Sequence, residues 1–202
     1  MTDTPARRMR CERCALPAST CVCALVTPVR NDVAVLVLQH PDEAAEAKGR
    51  ARLLRLSLAR CRVVVGEVFD PPTLRELLGG DVSGATLLYP AEASPPTFEG
   101  SPAAPPRQLV VLDGTWRKSL RMLHANPLLQ SLPRWSIEST AAPRYRALRK
   151  ARRPDQLSTL EAACAALAAI EGTPTRYAPL LDAFERFVAD RAARGRGAPA
   201  TG

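Results

Sequence analysis

Val33 to Gln39 is an unbroken Val/Leu-rich run between Asn31-Asp32 and His40-Pro41, a pattern that predicts a strand buried on both faces. Glu43 to Ala59 carries Leu53, Leu54, Leu56 and Leu58 in a segment that reads as helix, with Gly49 a soft spot inside it. Arg62 to Val68 returns to β-branched residues, and Pro72 to Leu78 predicts a short helix that starts on proline and stops at Gly79-Gly80. Ala85 to Tyr89 and Gln108 to Leu112 predict a third and a fourth strand, separated by the proline-rich loop Ala91 to Pro106. A helix follows from Thr115 to Ala125, ending before Asn126-Pro127, and Trp135 to Glu138 is a candidate fifth strand. Ser158-Thr159-Leu160-Glu161 is a capping box that opens a helix to Glu171. Tyr177 to Ala193 is amphipathic through Leu180, Leu181, Phe184, Phe187 and Val188. Strands alternating with helices predict an α/β fold: a mostly parallel sheet with helices on both faces.

At 202 residues, with 46% hydrophobic and 24% charged residues, the chain has the size and composition of one globular domain with at most a small appendage. The longest apolar run, Ala162 to Ile170, is far too short to span a membrane. Residues 1–8 carry bases with no apolar h-region behind them, which predicts no secretory signal and a cytoplasmic protein. The boundaries that follow are an N-terminal appendage over 1–28, a catalytic-sized domain over 29–194 and a disordered tail over 195–202.

Charge changes this picture. Lys and Arg number 28 against 20 Asp and Glu, a net +8, which suits an acidic macromolecular partner. Only Lys48, Lys118 and Lys150 of these bases are lysines, and arginine is the side chain that grips phosphate bidentately. Arg144, Arg146, Arg149, Lys150, Arg152 and Arg153 fall within ten positions without an acid, whereas a solvated helix face interleaves acids. That stretch is a candidate RNA contact. Arg117, Arg121 and His124 recur at i, i+4 and i+7 and form a second basic face suited to phosphate.

Four of the six cysteines, Cys11, Cys14, Cys21 and Cys23, read C-x2-C-x6-C-x-C. In a reducing compartment thiols this close are metal ligands rather than disulfides, and four of them suit a closed structural zinc site. The knuckle is either a plain staple or, through Arg7, Arg8, Arg10 and Arg13, also an RNA contact. Cys61 and Cys164 fall in apolar patterns, as small core residues do.

In open α/β sheets ligands bind beyond the carboxyl ends of the strands. Here those segments are His40-Pro41-Asp42-Glu43, Tyr89-Pro90-Ala91-Glu92 and Asp113-Gly114-Thr115-Trp116, each polar or special after a plain apolar strand. The chain has no dinucleotide glycine fingerprint, no P-loop and no H-E-x-x-H, and it lacks a nucleophile elbow.

At these residues the sequence resembles the DTW-domain tRNA-uridine aminocarboxypropyltransferases of the TapT type. The resemblance is carried by Leu112-Asp113-Gly114-Thr115-Trp116, the four N-terminal cysteines, His40-Pro41-x-Glu43, Leu88-Tyr89-Pro90 and Leu157-Ser158-Thr159-Leu160-Glu161-Ala162, in the family's order from Cys11 to about Glu171. It departs from the family at Arg50, where a Thr is usual, and at Ala91, where a Ser is usual. The resemblance implies a SPOUT-like fold with a trefoil knot in its C-terminal half, an exception to the rarity of knots. It implies S-adenosylmethionine as donor, with the 3-amino-3-carboxypropyl group moving to N3 of a tRNA uridine and 5′-methylthioadenosine leaving. Cofactor-binding positions are implied at His40, at Leu88, Tyr89 and Pro90, at Leu112 and Asp113, and at Ser158, Thr159 and Glu161. Asp113, Thr115 and Trp116 are the implied catalytic positions.

For several of these the residues leave two readings. Asp113 either accepts the N3 proton or caps the following helix. Trp116 either stacks a base or joins Leu120 and Leu123 in the core. His40 is a polar wall of the cofactor pocket or a satisfied buried histidine. Two other functions share these features: a SPOUT-type RNA methyltransferase, and a zinc-containing RNA-binding protein without catalysis.

Overall fold

A computed structural model of the chain describes residues 10–45, 49–89, 105–136 and 157–196. Five strands form one sheet: β1 Ala34–Gln39, β2 Cys61–Val65, β3 Ala85–Leu88, β4 Gln108–Asp113 and β5 Arg134–Trp135. Their order is β2-β1-β4-β3-β5 and every pairing is parallel. Around them lie α1 Pro41–Ala45, α2 Arg50–Ser57, α3 Pro71–Leu77, α4 Trp116–Ala125, α5 Pro127–Gln130, α6 Thr159–Ile170 and α7 Ala178–Arg196.

The period-two alternation of the strands divides the core into two layers. Val35, Val37, Leu109, Val111 and Leu88 face one side, where they meet Leu53 and Leu54 of α2, Leu160 and Leu167 of α6 and Phe184 of α7. Leu36, Leu38, Val110, Leu112 and Leu87 face the other, against Leu74 of α3, Met122 and Leu123 of α4 and Leu129 of α5. Burial on both faces explains why β1 and β4 read as continuous apolar runs rather than alternating ones. Cys14, Leu16 and Val22 of the knuckle are buried in the first layer, so the N-terminal segment shares the core of the sheet.

Several boundaries differ from the sequence pattern. The segment Glu43 to Ala59 forms two helices, because Gly49 takes a left-handed φ of +66° and starts α2 there. A Cβ at Gly49 would also sit 2.9 Å from Cζ of Phe187, so a side chain has neither the conformation nor the room. The second strand is Cys61–Val65, ending before Gly66, and the fifth is Arg134–Trp135. Residues 137 and 138 of the expected fifth strand lie outside the described residues. The last helix runs on to Arg196, past the expected start of the tail. Cys164 is buried, while Cys61 is half-buried against the first layer. The expected trefoil knot turns on the path of residues 90–104 and 137–156, outside the described residues. No helix among the described residues is long and apolar enough to cross a membrane.

Candidate active site at the carboxyl edge of the sheet

The chain leaves β1 toward the α2 face and leaves β4 toward the α4 face, so the crevice between these neighbouring strands is the topological switch point where open α/β sheets bind ligands. Gln39 ends β1 and Asp113 ends β4, directly opposite each other in the register. Asp113 is 6% exposed. Gln39 Nε2 donates to its Oδ2 at 2.8 Å and Thr159 Oγ1 donates to its Oδ1 at 2.7 Å. Two strand ends and the first turn of α6 therefore fix one negatively charged group. A carboxylate offers about four acceptor positions, so two remain for a ligand.

Asp113 does not cap α4. Thr115 does, accepting the Lys118 N–H at 3.5 Å, and Gly114 lets the turn close because a Cβ there would meet Lys118 Cβ at 3.1 Å and Ser119 Oγ at 3.2 Å. At α6 the capping box forms as its sequence predicts: Ser158 Oγ accepts from Glu161 N–H at 3.4 Å, and the Glu161 carboxylate accepts from Ser158 N–H at 2.6 Å. Ser158 holds the cap, which frees the Thr159 hydroxyl for Asp113.

The reading of Trp116 as core is corrected. Trp116 is 57% exposed and stacks on buried Tyr89, with ring centroids 5.3 Å apart and planes 22° from parallel. Its position at the first turn of α4 points it off the sheet edge rather than into the layer that takes Met122 and Leu123. Beyond Tyr89 lies the guanidinium of Arg134, 5.5 Å from the ring centroid. Burial holds the Arg134 pKa below the usual arginine value and the Tyr89 phenol above its own.

On the other side of Asp113, His40 N–H donates to the Asp113 carbonyl at 3.0 Å. The His40 ring is buried, its Nδ1 accepting Asp42 N–H at 3.2 Å, which leaves the proton on Nε2. Nε2 faces Glu67 Oε2 at 3.4 Å, within ion-pair range but without hydrogen-bond alignment. Glu67 in turn pairs with Arg121 at 2.7 Å. Lys118 reaches Asp42 and Glu43, both at 3.2 Å, tying α1 to α4. Burial lowers the Lys118 pKa, but the bonds to Glu43 and Asp42 outweigh it and hold the ammonium above the usual lysine value. Arg117 and His124 are exposed beside Arg121, so the basic face of α4 forms.

The four N-terminal cysteines also meet. Their sulfurs all lie within 4.8 Å of one another, with Cys11 and Cys23 at 3.6 Å and Cys14 and Cys21 at 3.6 Å. A tetrahedral zinc with Zn–S bonds of about 2.3 Å requires S–S edges of roughly 3.8 Å, so the donor set fits that ion. The backbone N–H groups of Cys14 and Arg13 point at Cys11 and bring its thiol down to about 6, whereas burial pushes Cys23 up to about 12 and Cys21 is also raised, so the fit to a metal rests on the sulfur geometry. None of the four is in a disulfide.

The DTW domain model matches residues 8–192. This chain belongs to the DTW-domain family. A Drosophila melanogaster protein named tRNA-uridine aminocarboxypropyltransferase 2 is 32% identical over 180 residues, covering 85% of this chain and 70% of its own length. A Macaca fascicularis protein of the same name is 27% identical over 172 residues, covering 82% of this chain and 57% of its own, so the chain spans just over half of that relative. No solved structure matches.

Within this DTW domain, Asp113, Thr115 and Trp116 share one strand-to-helix turn, with Thr159 and Tyr89 in direct contact with that group. Leu88 and Leu112 are buried beneath it on opposite faces of the sheet, where they support the edge. Pro90, Arg146, Arg149, Lys150, Arg152 and Arg153 lie outside the described residues. Sequence reasoning passed over Gln39, Glu67 and Arg134. Gln39 carried a signal, a polar residue ending an apolar strand, but its meaning depends on a register that no local pattern reveals.

Proposed function

We propose that this DTW domain is a tRNA-uridine aminocarboxypropyltransferase of the cytoplasm. S-adenosylmethionine supplies the 3-amino-3-carboxypropyl group, whose carbon–sulfur bond breaks as a bond to uridine N3 forms, with 5′-methylthioadenosine leaving and the N3 proton released. One observation carries the activity of the named relatives to this chain: residues of three separate motifs, His40, Tyr89 and Thr159, meet the Asp113–Trp116 turn at the switch point. A buried carboxylate in position, an exposed aromatic face and a neighbouring buried cation are the groups such a transfer needs.

The residues then take defined tasks. Asp113 accepts the hydrogen of N3 and favours its loss, with Gln39 and Thr159 holding the carboxylate in one orientation. Trp116, braced by Tyr89, offers a ring face to a base. Arg117, Arg121 and the stretch Arg146 to Arg153 contact the tRNA backbone. Cys11, Cys14, Cys21 and Cys23 hold one structural zinc that closes the knuckle onto the first layer.

Nucleoside mass spectrometry of tRNA incubated with the protein and S-adenosylmethionine tests the function. A uridine bearing the aminocarboxypropyl group is the expected product. A methylated nucleoside would identify a methyltransferase instead, and tRNA that binds without modification would identify a non-catalytic RNA-binding protein.

Two substitutions probe the contacts. Trp116→Ala is expected to lower transfer efficiency by about tenfold, the loss of roughly one base stack. The melting temperature should change little, because the ring stands largely in water. Transfer at the wild-type rate would make Trp116 an ordinary surface ring. Replacing Arg152 and Arg153 together by Ala is expected to weaken tRNA binding and flatten its salt dependence by about one unit of slope per lost phosphate contact. A wild-type salt slope in the double variant would remove these arginines from the interface.

A further inference from the structure

Among the described residues, Arg134 is a buried cation without an anion. It opens β5 level with Leu87 of β3 and Val110 of β4, three residues short of Asp113 along the sheet, on the face toward which α4 departs; only 9% of it is exposed, and its guanidinium reaches the ring of Tyr89, the residue that follows β3. Among the described residues no carboxylate lies within ion-pair distance. Its partners are the carbonyl oxygens of Leu129 and Gln130, both at 3.4 Å, long for bonds to a guanidinium, and the ring of Tyr89. Two of five N–H donors are so engaged, and weakly. Arginines are seldom buried unless paired, since the desolvated charge is costly. The phenol oxygen of Tyr89, whose ring faces the guanidinium, is also buried with no partner among the described residues. Tyr89 connects both to the exposed ring of Trp116.

We propose that Arg134 is the subsite for the carboxylate of the transferred group, an inference that rests on the donor reading above. A guanidinium fork matches a carboxylate bidentately. A transferase that moves the amino-acid arm must hold its far end so that the carbon next to sulfur faces the acceptor. Burial decides between the two oxyanions in question. A tRNA phosphodiester meets exposed cations such as Arg117, whereas an arginine side chain as buried as Arg134 suits the small, planar carboxylate of a compact ligand. Arg134 would thus select which arm of the donor is presented, a task distinct from the proton chemistry at Asp113.

Isothermal titration with three ligands tests this: S-adenosylmethionine, its decarboxylated form and 5′-methylthioadenosine, which lacks the whole arm. The wild type is expected to bind S-adenosylmethionine at least about 30-fold more tightly than the decarboxylated form, the lower end for losing one partner of a buried charge pair. Arg134→Met should bind those two alike while its affinity for 5′-methylthioadenosine stays at the wild-type value. Arg134→Lys keeps a charge without the fork and should show reduced discrimination, which provides a reading should the Met variant not fold. Equal binding of the two ligands by the wild type overturns the inference, and so does full discrimination in either variant. A variant that loses tRNA affinity while keeping discrimination marks a phosphate contact and also overturns it. Absence of any S-adenosylmethionine binding by the wild type is a different result, because it removes the donor reading itself.

Discussion

Asp113→Asn is expected to lower transfer to tRNA by about 100-fold or more, the range of losing a positioned base, with little change in S-adenosylmethionine affinity or melting temperature. The local structure makes this substitution unusually clean. Asn keeps the size of the side chain, its oxygen can still accept from Gln39 Nε2, and its amide can donate to the Thr159 hydroxyl, which serves as acceptor as readily as donor. The bonds that lock the group therefore survive while the negative charge goes. Asp113→Ala is the informative contrast, since it strands the Gln39 amide in a buried site and should destabilise the fold by about 1–3 kcal/mol. A helix cap would behave otherwise, as Asn caps nearly as well as Asp, but the cap of α4 belongs to Thr115. Single-turnover transfer and thermal melts of the two variants separate the contributions. Near-normal transfer by Asp113→Asn would hand the N3 proton to another group and reduce Asp113 to a strut between β1, β4 and α6.

Much of this was legible because the relevant signals are local. Continuous Val/Leu runs announced β1 and β4, since strands covered on both faces need no alternation, and the Ser158–Glu161 capping box marked the start of α6 to the residue. The spacing of the four cysteines announced their cluster, a donor set that suits a metal ion. What was not legible depends on pairings remote in sequence. Gln39 and Asp113 are 74 residues apart, and only the parallel register of β1 and β4 makes them partners. Trp116 falls on the same sequence stripe as Leu123, yet it stands at the sheet edge, where the first turn of α4 projects beyond the layer. Arg134 lies in a two-residue strand too short to carry any periodic signal. The break at Gly49 was foreshadowed by the glycine itself, but its necessity comes from Phe187, contributed by the last helix.

Cys14→Ser is expected to release the metal and to destabilise the whole domain, not the knuckle alone. Serine is a poor zinc ligand, and the three thiols left cannot close the tetrahedron. Cys14 is fully buried and shares the first core layer with Leu16 and Val22, which rest against the elements that carry α2, α6 and α7. Opening the knuckle withdraws those side chains from the layer that also supports Thr159, and through it Asp113. The expected cost is about 4 kcal/mol, a size that single substitutions reach by few routes, metal loss among them. For a domain of this length that corresponds to a fall in melting temperature of roughly 8–16 °C. Zinc content measured on protein purified without chelator should be near one per chain in the wild type and well below that in the variant. A strong chelator should move the wild-type melt toward that of the variant while leaving the variant's own melt in place. Wild-type protein without zinc, or a variant that melts with the wild type, would make the four thiols a packing feature of the core and nothing more.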